Sequence, residues 1–128
     1  MDFCVSDFHT AAYNGEIQKL KMLLETGISI DSRDAGNATA LHYATKASRL
    51  EAICFLLEHD ADANAVTSAG YTPLMMAAAS GDTKACIFLV SNGADPDLRS
   101  NKGFTAREIA QSRGHFSIVS VIDNRFAK

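Results

Sequence analysis

The sequence predicts an all-α solenoid, four helix–turn–helix repeats stacked in one domain over residues 1–128. Three observations predict it. The first is a period of 33 residues: Thr39, Thr72 and Thr105 share one position, Ala11, Ala44, Ala77 and Ala110 a second, and Leu23, Leu56, Leu89 and Ile122 a third. A fixed period of roughly 20–50 residues marks units that cannot bury their apolar faces alone and stack to do so. The second is the layout of one period, clearest in residues 70–93. Gly-Tyr-Thr-Pro-Leu opens it, small residues Ala77, Ala78 and Ala79 follow, Ser80-Gly81-Asp82 breaks it, and a second apolar helix over 85–90 ends at Asn92-Gly93. The third is the number of copies, which exceeds the roughly three a stack needs for stability.

Repeat one covers about residues 5–32. Its first helix is expected over 6–14 with Ser6 as N-cap, because a serine hydroxyl accepts from a free first-turn N–H. Gly15 ends it. Ile17, Leu20, Leu23 and Leu24 then recur at helical spacing, which predicts a second helix over 17–26 closed by Gly27. Repeat two covers about 33–65. Asn37 fills the turn position held by Gly70 and Gly103, and asparagine tolerates the left-handed conformation. The second helix, over 50–59, is expected to bury Leu50, Ile53, Leu56 and Leu57. Asp60 stands where a closing glycine is usual, which should weaken that boundary.

Repeat three, about 66–98, starts its first helix at Pro73, whose ring presets φ where no N–H is needed. Met75 and Met76 replace the histidine and its neighbour of repeat two and read as adaptable packing residues, not a soft-metal site. Repeat four, about 99–128, turns two core positions polar. Arg107 stands in the place of Leu41 and Leu74, and Asp123 in that of Leu24, Leu57 and Val90. The repeat is expected to cap the array, with Arg107 and Asp123 paired within about 4 Å.

These residues resemble a known family. Thr72-Pro73-Leu74, Leu41-His42-Tyr43-Ala44, Gly93-Ala94-Asp95 and Ala61-Asp62-Ala63-Asn64 are similar to the ankyrin repeat pattern, and the match covers roughly residues 5–125. The resemblance implies an ankyrin repeat solenoid, a right-handed stack with turn or β-hairpin fingers. It implies that the Thr39 hydroxyl and the His42 ring hydrogen-bond within and between neighbouring turns. It also implies a groove formed by finger tips and first helices. Candidate partner-binding residues there are Tyr13, Asn14, Lys46, Ser68, Tyr71, Ser80, Asn101, Lys102, Phe104 and Arg113. Tyrosine and arginine often dominate binding energy, although Tyr71 and Phe104 could equally pack on the neighbouring turn. Leu56, Asp62 and Asn64 resemble the spacing at which an oxygen-sensing asparaginyl hydroxylase acts, which makes Asn64 a candidate for hydroxylation. Asn64 is also a turn residue of the pattern, and both roles stay open.

The rest of the sequence narrows the function. Residues 99–128 hold six basic and two acidic residues, a net +4, so the remainder carries −7 of the total −3. Such asymmetry can orient a partner during encounter, but four net charges make no nucleic-acid stripe. No apolar run approaches the roughly 18 residues of a membrane helix, and no signal-peptide pattern opens the chain. Three cysteines, Cys4, Cys54 and Cys86, lack metal-ligand spacing and suit a reducing compartment, cytoplasm or nucleus. There is no P-loop and no nucleophile elbow. Cys4–His9 and Cys54–His59 lie five apart, which turns the side chains away from each other on a helix. No enzyme, cofactor or metal is expected. The expected function is protein–protein interaction by a monomer, as adaptor, scaffold or inhibitor, with a partner whose surface is acidic. The alternatives are a spacer within a larger chain or an enzyme whose site the sequence does not display.

Overall fold

The computed structural model describes residues 5–124, so Cys4, Arg125 and Lys128 lie outside the described residues. Among the described residues eight helices follow one another: α1 (Val5–Asn14), α2 (Ile17–Glu25), α3 (Ala40–Lys46), α4 (Leu50–Glu58), α5 (Pro73–Ser80), α6 (Thr83–Ser91), α7 (Ala106–Ser112) and α8 (Phe116–Asp123). They form two layers. The first helices pack in the order α1, α3, α5, α7 and the second helices in the order α2, α4, α6, α8. The first layer is the tighter one. Its contact positions are the recurring alanines Ala11, Ala44, Ala77, Ala78 and Ala110, all fully buried, and small side chains let helix backbones approach. Bulky core residues come from both layers, Phe8, Leu41, Leu74 and Met75 from the first helices and Leu20, Leu23, Ile53, Leu56, Leu89, Ile118 and Ile122 from the second. Each such side chain contributes roughly 1.5–3 kcal/mol by leaving water. Leu50, expected in this core, is only half-buried because it lies at the start of α4.

Backbone chemistry sets the helix ends. Gly15, Gly81 and Gly114 end first helices at φ 73°, 80° and 78°, and Ser48 adopts φ 57° at the same position in repeat two. Asn37 and Asp60 are likewise left-handed, at φ 61° and 68°, where other repeats use glycine. A side chain there costs about 1–2 kcal/mol per residue, so repeat two carries three such penalties. Gly70 is more constrained, because a Cβ on it would lie 2.6 Å from Asn101 Oδ1 and 2.7 Å from the Asn101 nitrogen. The finger-to-finger contact requires glycine at that point.

One further expectation needs correction. Ser6 lies inside α1 and does not cap it, since the helix already includes Val5. The fingers are tight turns, and no strand occurs among the described residues. Each closes with one backbone bond across its base: Asp34 to Ala38 at 3.1 Å, Thr67 to Tyr71 at 3.0 Å, Ser100 to Phe104 at 2.9 Å. Only an isolated antiparallel bridge, Arg99–Thr105, approaches a hairpin. Arms of one or two residues are too short for a ladder, so the fingers bond to one another instead. The Ser68 nitrogen donates to the Gly36 carbonyl, and the Asn101 nitrogen to the Ala69 carbonyl, each at 3.0 Å.

The polar pair of repeat four forms as expected. Arg107 meets Asp123 through two parallel bonds, Nε to Oδ1 at 2.8 Å and Nη2 to Oδ2 at 3.2 Å.

Candidate functional site

A concavity of about 640 Å³ opens where the fingers of repeats three and four face α3, α5 and α7. Its size lies within the roughly 300–1,000 Å³ of ligand pockets. It exists because the end of α5 is Ala79-Ser80 and the end of α7 is Ser112, so small side chains leave the space between neighbouring helices empty. Met75, Met76 and Ile109 line it beside these residues. Tyr71 and Phe104, on equivalent finger positions, form the side toward the fingers. Lys46, Lys102 and Arg113 complete the lining, which contains no acidic residue.

Each of these side chains is placed by local chemistry. The His42 ring is 1% exposed and joins two repeats. Its Nδ1 accepts from the Thr39 backbone N–H at 3.1 Å, which puts the proton on Nε2, and Nε2 donates to the Tyr71 carbonyl at 2.9 Å. Tyr71 is therefore anchored through its backbone, while its ring is half-buried against the core. Burial pushes His42 below its ordinary pKa of 6.5, opposed in part by its bond to the Tyr71 carbonyl. In repeat three the threonine has no histidine partner, and the Thr72 hydroxyl accepts from the Met75 N–H at 3.2 Å, capping α5. Phe104 keeps half its surface exposed at 50%, so its ring is not consumed by packing on the neighbouring turn.

Of the ten residues expected in the groove, Lys46, Tyr71, Ser80, Lys102, Phe104 and Arg113 line this one concavity. Four do not. Ser68 and Asn101 tie fingers together: the Ser68 hydroxyl accepts from Asn37 at 3.1 Å, and Asn101 Nδ2 donates to the Ser68 carbonyl at 2.8 Å. Tyr13 lies at the far end of the array, on a smaller concavity of about 210 Å³ shared with His9, Asp34 and Tyr43. Asn14 contacts Glu16 at 3.4 Å. Near Tyr13, the Tyr43 hydroxyl donates to Asp34, which holds the Asp34 carboxyl below its usual range and raises the Tyr43 hydroxyl. The His9 ring stacks on Tyr43 with centroids 5.0 Å apart.

Met75, Met76 and Ile109 were missed as groove residues. The period contained the signal, since Met76 and Ile109 share one register. A second concavity was missed altogether. It measures about 850 Å³ and lies on the second-helix layer, where α2, α4 and α6 pack loosely. Ile17, Leu50, Phe55, Ile87 and Phe88 line it together with charges of both signs, Lys21, Lys84, Glu51 and Glu58.

Asn64 is engaged on both sides of its amide. Its Nδ2 donates to the Gly93 carbonyl at 3.0 Å, and its Oδ1 accepts from the Asp95 N–H at 2.6 Å. Burial raises the thiols of Cys86, to about 12, and of Cys54, so both stay protonated and poorly nucleophilic. Among the described residues no group of three or more His, Cys, Asp or Glu is placed to hold a metal, and no helix is long and apolar enough to cross a membrane.

Two family models match the chain. One, ankyrin repeats (many copies), covers residues 8–57; the other, ankyrin repeats (3 copies), covers residues 61–125, more than half of the 128 residues by itself. With the 33-residue period, the two helix layers and the bonded fingers already in place, these matches show that the chain belongs to the ankyrin repeat family.

Proposed function

We propose that this protein holds a partner protein in the groove between its fingers and first helices and acts as an adaptor, scaffold or inhibitor. Ankyrin repeats are general protein–protein interaction modules and are typically non-catalytic. The observation that carries the groove reading is the convergence of six sequence-selected residues on one concavity with three cations and no acid. Such a lining favours a partner surface with acidic groups. The protein acts as a monomer in this reading, in the cytoplasm or nucleus, where Cys54 and Cys86 stay reduced. Asn64 is a further candidate, as acceptor of hydroxylation. Intact mass after exposure to an asparaginyl hydroxylase is expected to rise by one oxygen atom, and an unchanged mass removes that role.

The test is affinity capture from a cell lysate, run in parallel with a Tyr71→Ala, Phe104→Ala, Arg113→Ala variant whose helicity is checked by circular dichroism. Proteins bound by the parent and lost by the variant are the expected result. Partners kept by both would move the site to the outer helices. No capture by either would favour a spacer role.

A further inference from the structure

The groove concavity has a shape and charge pattern specific enough to define its occupant. We infer that it takes an extended acidic segment of a partner protein, with one bulky apolar side chain seated between two carboxylates about five residues apart. This rests on the groove reading above and refines it.

The apolar anchor follows from the lining. Tyr71, Met75, Met76, Phe104 and Ile109 surround a space that Ala79 and Ser80 leave unfilled. Unbranched methionines adapt to an aliphatic or aromatic guest without a fixed shape. The half-exposed ring of Phe104 offers a further apolar face.

The carboxylates follow from the cations, which come from three separate elements. Lys46 ends α3, Arg113 follows α7, and Lys102 sits on the finger of repeat four. Among the described residues none of the three forms a salt bridge, whereas the neighbouring Arg99 and Arg107 are paired with Glu108 and Asp123. The charges facing the groove are therefore available to a partner.

The spacing follows from helix geometry. From α3 across α5 to α7 are two interhelix steps of about 8–10 Å each. An extended chain covers that span of about 16–20 Å in roughly five residues. A carboxylate at each end meets Lys46 and Arg113, the residue between them enters the concavity, and Lys102 takes a third acid on the finger side. Single-stranded nucleic acid also combines negative charge with flat rings. Phe104 is the one ring in the lining that keeps half its surface exposed, a single ring makes no run of stacking platforms for successive bases, and the chain's net charge of −3 opposes a polyanion.

The test uses the full chain and a phage library displaying random dodecapeptides. Three baits are compared: the parent, a Lys46→Glu, Lys102→Glu, Arg113→Glu variant, and a pocket-filling Ala79→Phe variant. All three are checked for folding by circular dichroism. The expected result is enrichment of peptides with an aliphatic or aromatic residue between two acids about five positions apart. The best synthetic peptide, followed by fluorescence anisotropy, should bind each variant at least about tenfold more weakly. Enriched peptides that lack the acids or the anchor, yet are lost by the variants, overturn the inference and leave the groove reading standing. Peptides held equally by all three baits overturn both. An absence of enrichment overturns the linear segment, and lysate capture then decides independently whether a folded surface occupies the groove. A labelled single-stranded RNA dodecamer that binds the parent more tightly than the peptides also overturns the inference.

Discussion

His42 shows how one side chain links helix start, repeat interface and groove. It bonds the Thr39 N–H on one side and the Tyr71 carbonyl on the other, across 29 residues of sequence. Replacing it with alanine leaves the Thr39 N–H buried and unpaired, while the Tyr71 carbonyl keeps its bond from the Thr67 N–H, and stability should fall by about 1–3 kcal/mol in urea titrations. Its titration has a definite sign. Burial lowers the folded pKa below 6.5, so between the two values the unfolded chain binds more protons. Stability should be level above about pH 6.5 in this respect, and should fall as pH drops through the window beneath it. The acid-side slope should be smaller in a His42→Ala variant, and an unchanged slope would assign it to other groups. His42 was legible in the sequence because Leu41-His42-Tyr43-Ala44 carries the pattern. Its partner in the next finger could be named only as a neighbouring turn, because the pairing depends on how closely the repeats stack.

Among the elements, α7 and α8 hold the clearest departure from apolar packing. Arg107 and Asp123 replace leucine or valine at facing positions and form a bidentate pair, both sides close to half exposed. A solvent-screened pair contributes little, and its contribution falls with salt. Asp123→Ala should therefore lower the melting temperature only slightly, and by less at high salt. The double variant Arg107→Leu, Asp123→Leu restores the residue type of the inner repeats and should match or exceed the parent. A large loss in that variant would show that the pair has a role beyond capping. The register of the repeats made this pair predictable: the two polar substitutions fall at the start of one helix and the end of its antiparallel partner, which lie side by side. The same reasoning did not work for Ser6. Helix starts depend on residues upstream of the cap, and α1 simply extends past it to Val5.

For the whole molecule, stability is a sum over repeats and their interfaces, and neighbouring repeats share one continuous core. Leu56 of α4 is fully buried within that core, which includes residues of the repeats on both sides. Leu56→Ala should cost about 2–5 kcal/mol. The loss should shift one cooperative transition in urea, coincident by circular dichroism and by the fluorescence of Tyr13, Tyr43 and Tyr71. Separated transitions would show that the repeats unfold independently. The charge asymmetry of the chain also belongs to this scale. Pairing of Arg99 and Arg107 within repeat four leaves Lys102 and Arg113 as the positive charges of that repeat nearest the groove.

The sequence by itself determined the number of repeats, the helix pair in each and the residues that turn the chain between them. These depend on local rules: apolar spacing along one helix, and the tolerance of glycine, asparagine or aspartate for left-handed backbone. It also determined the polar pair of the last repeat, through register alone. Only the tertiary structure decided which side chains converge. It separated Tyr13 and Asn14 from the main concavity, committed Ser68 and Asn101 to finger ties, and brought Met75, Met76 and Ile109 to the groove floor. It also opened the outer concavity along α2, α4 and α6. The physical reason is distance in the chain. Contacts between residues some 30 positions apart are set by how closely whole helices approach, and in this array the buried alanines of the first layer determine that.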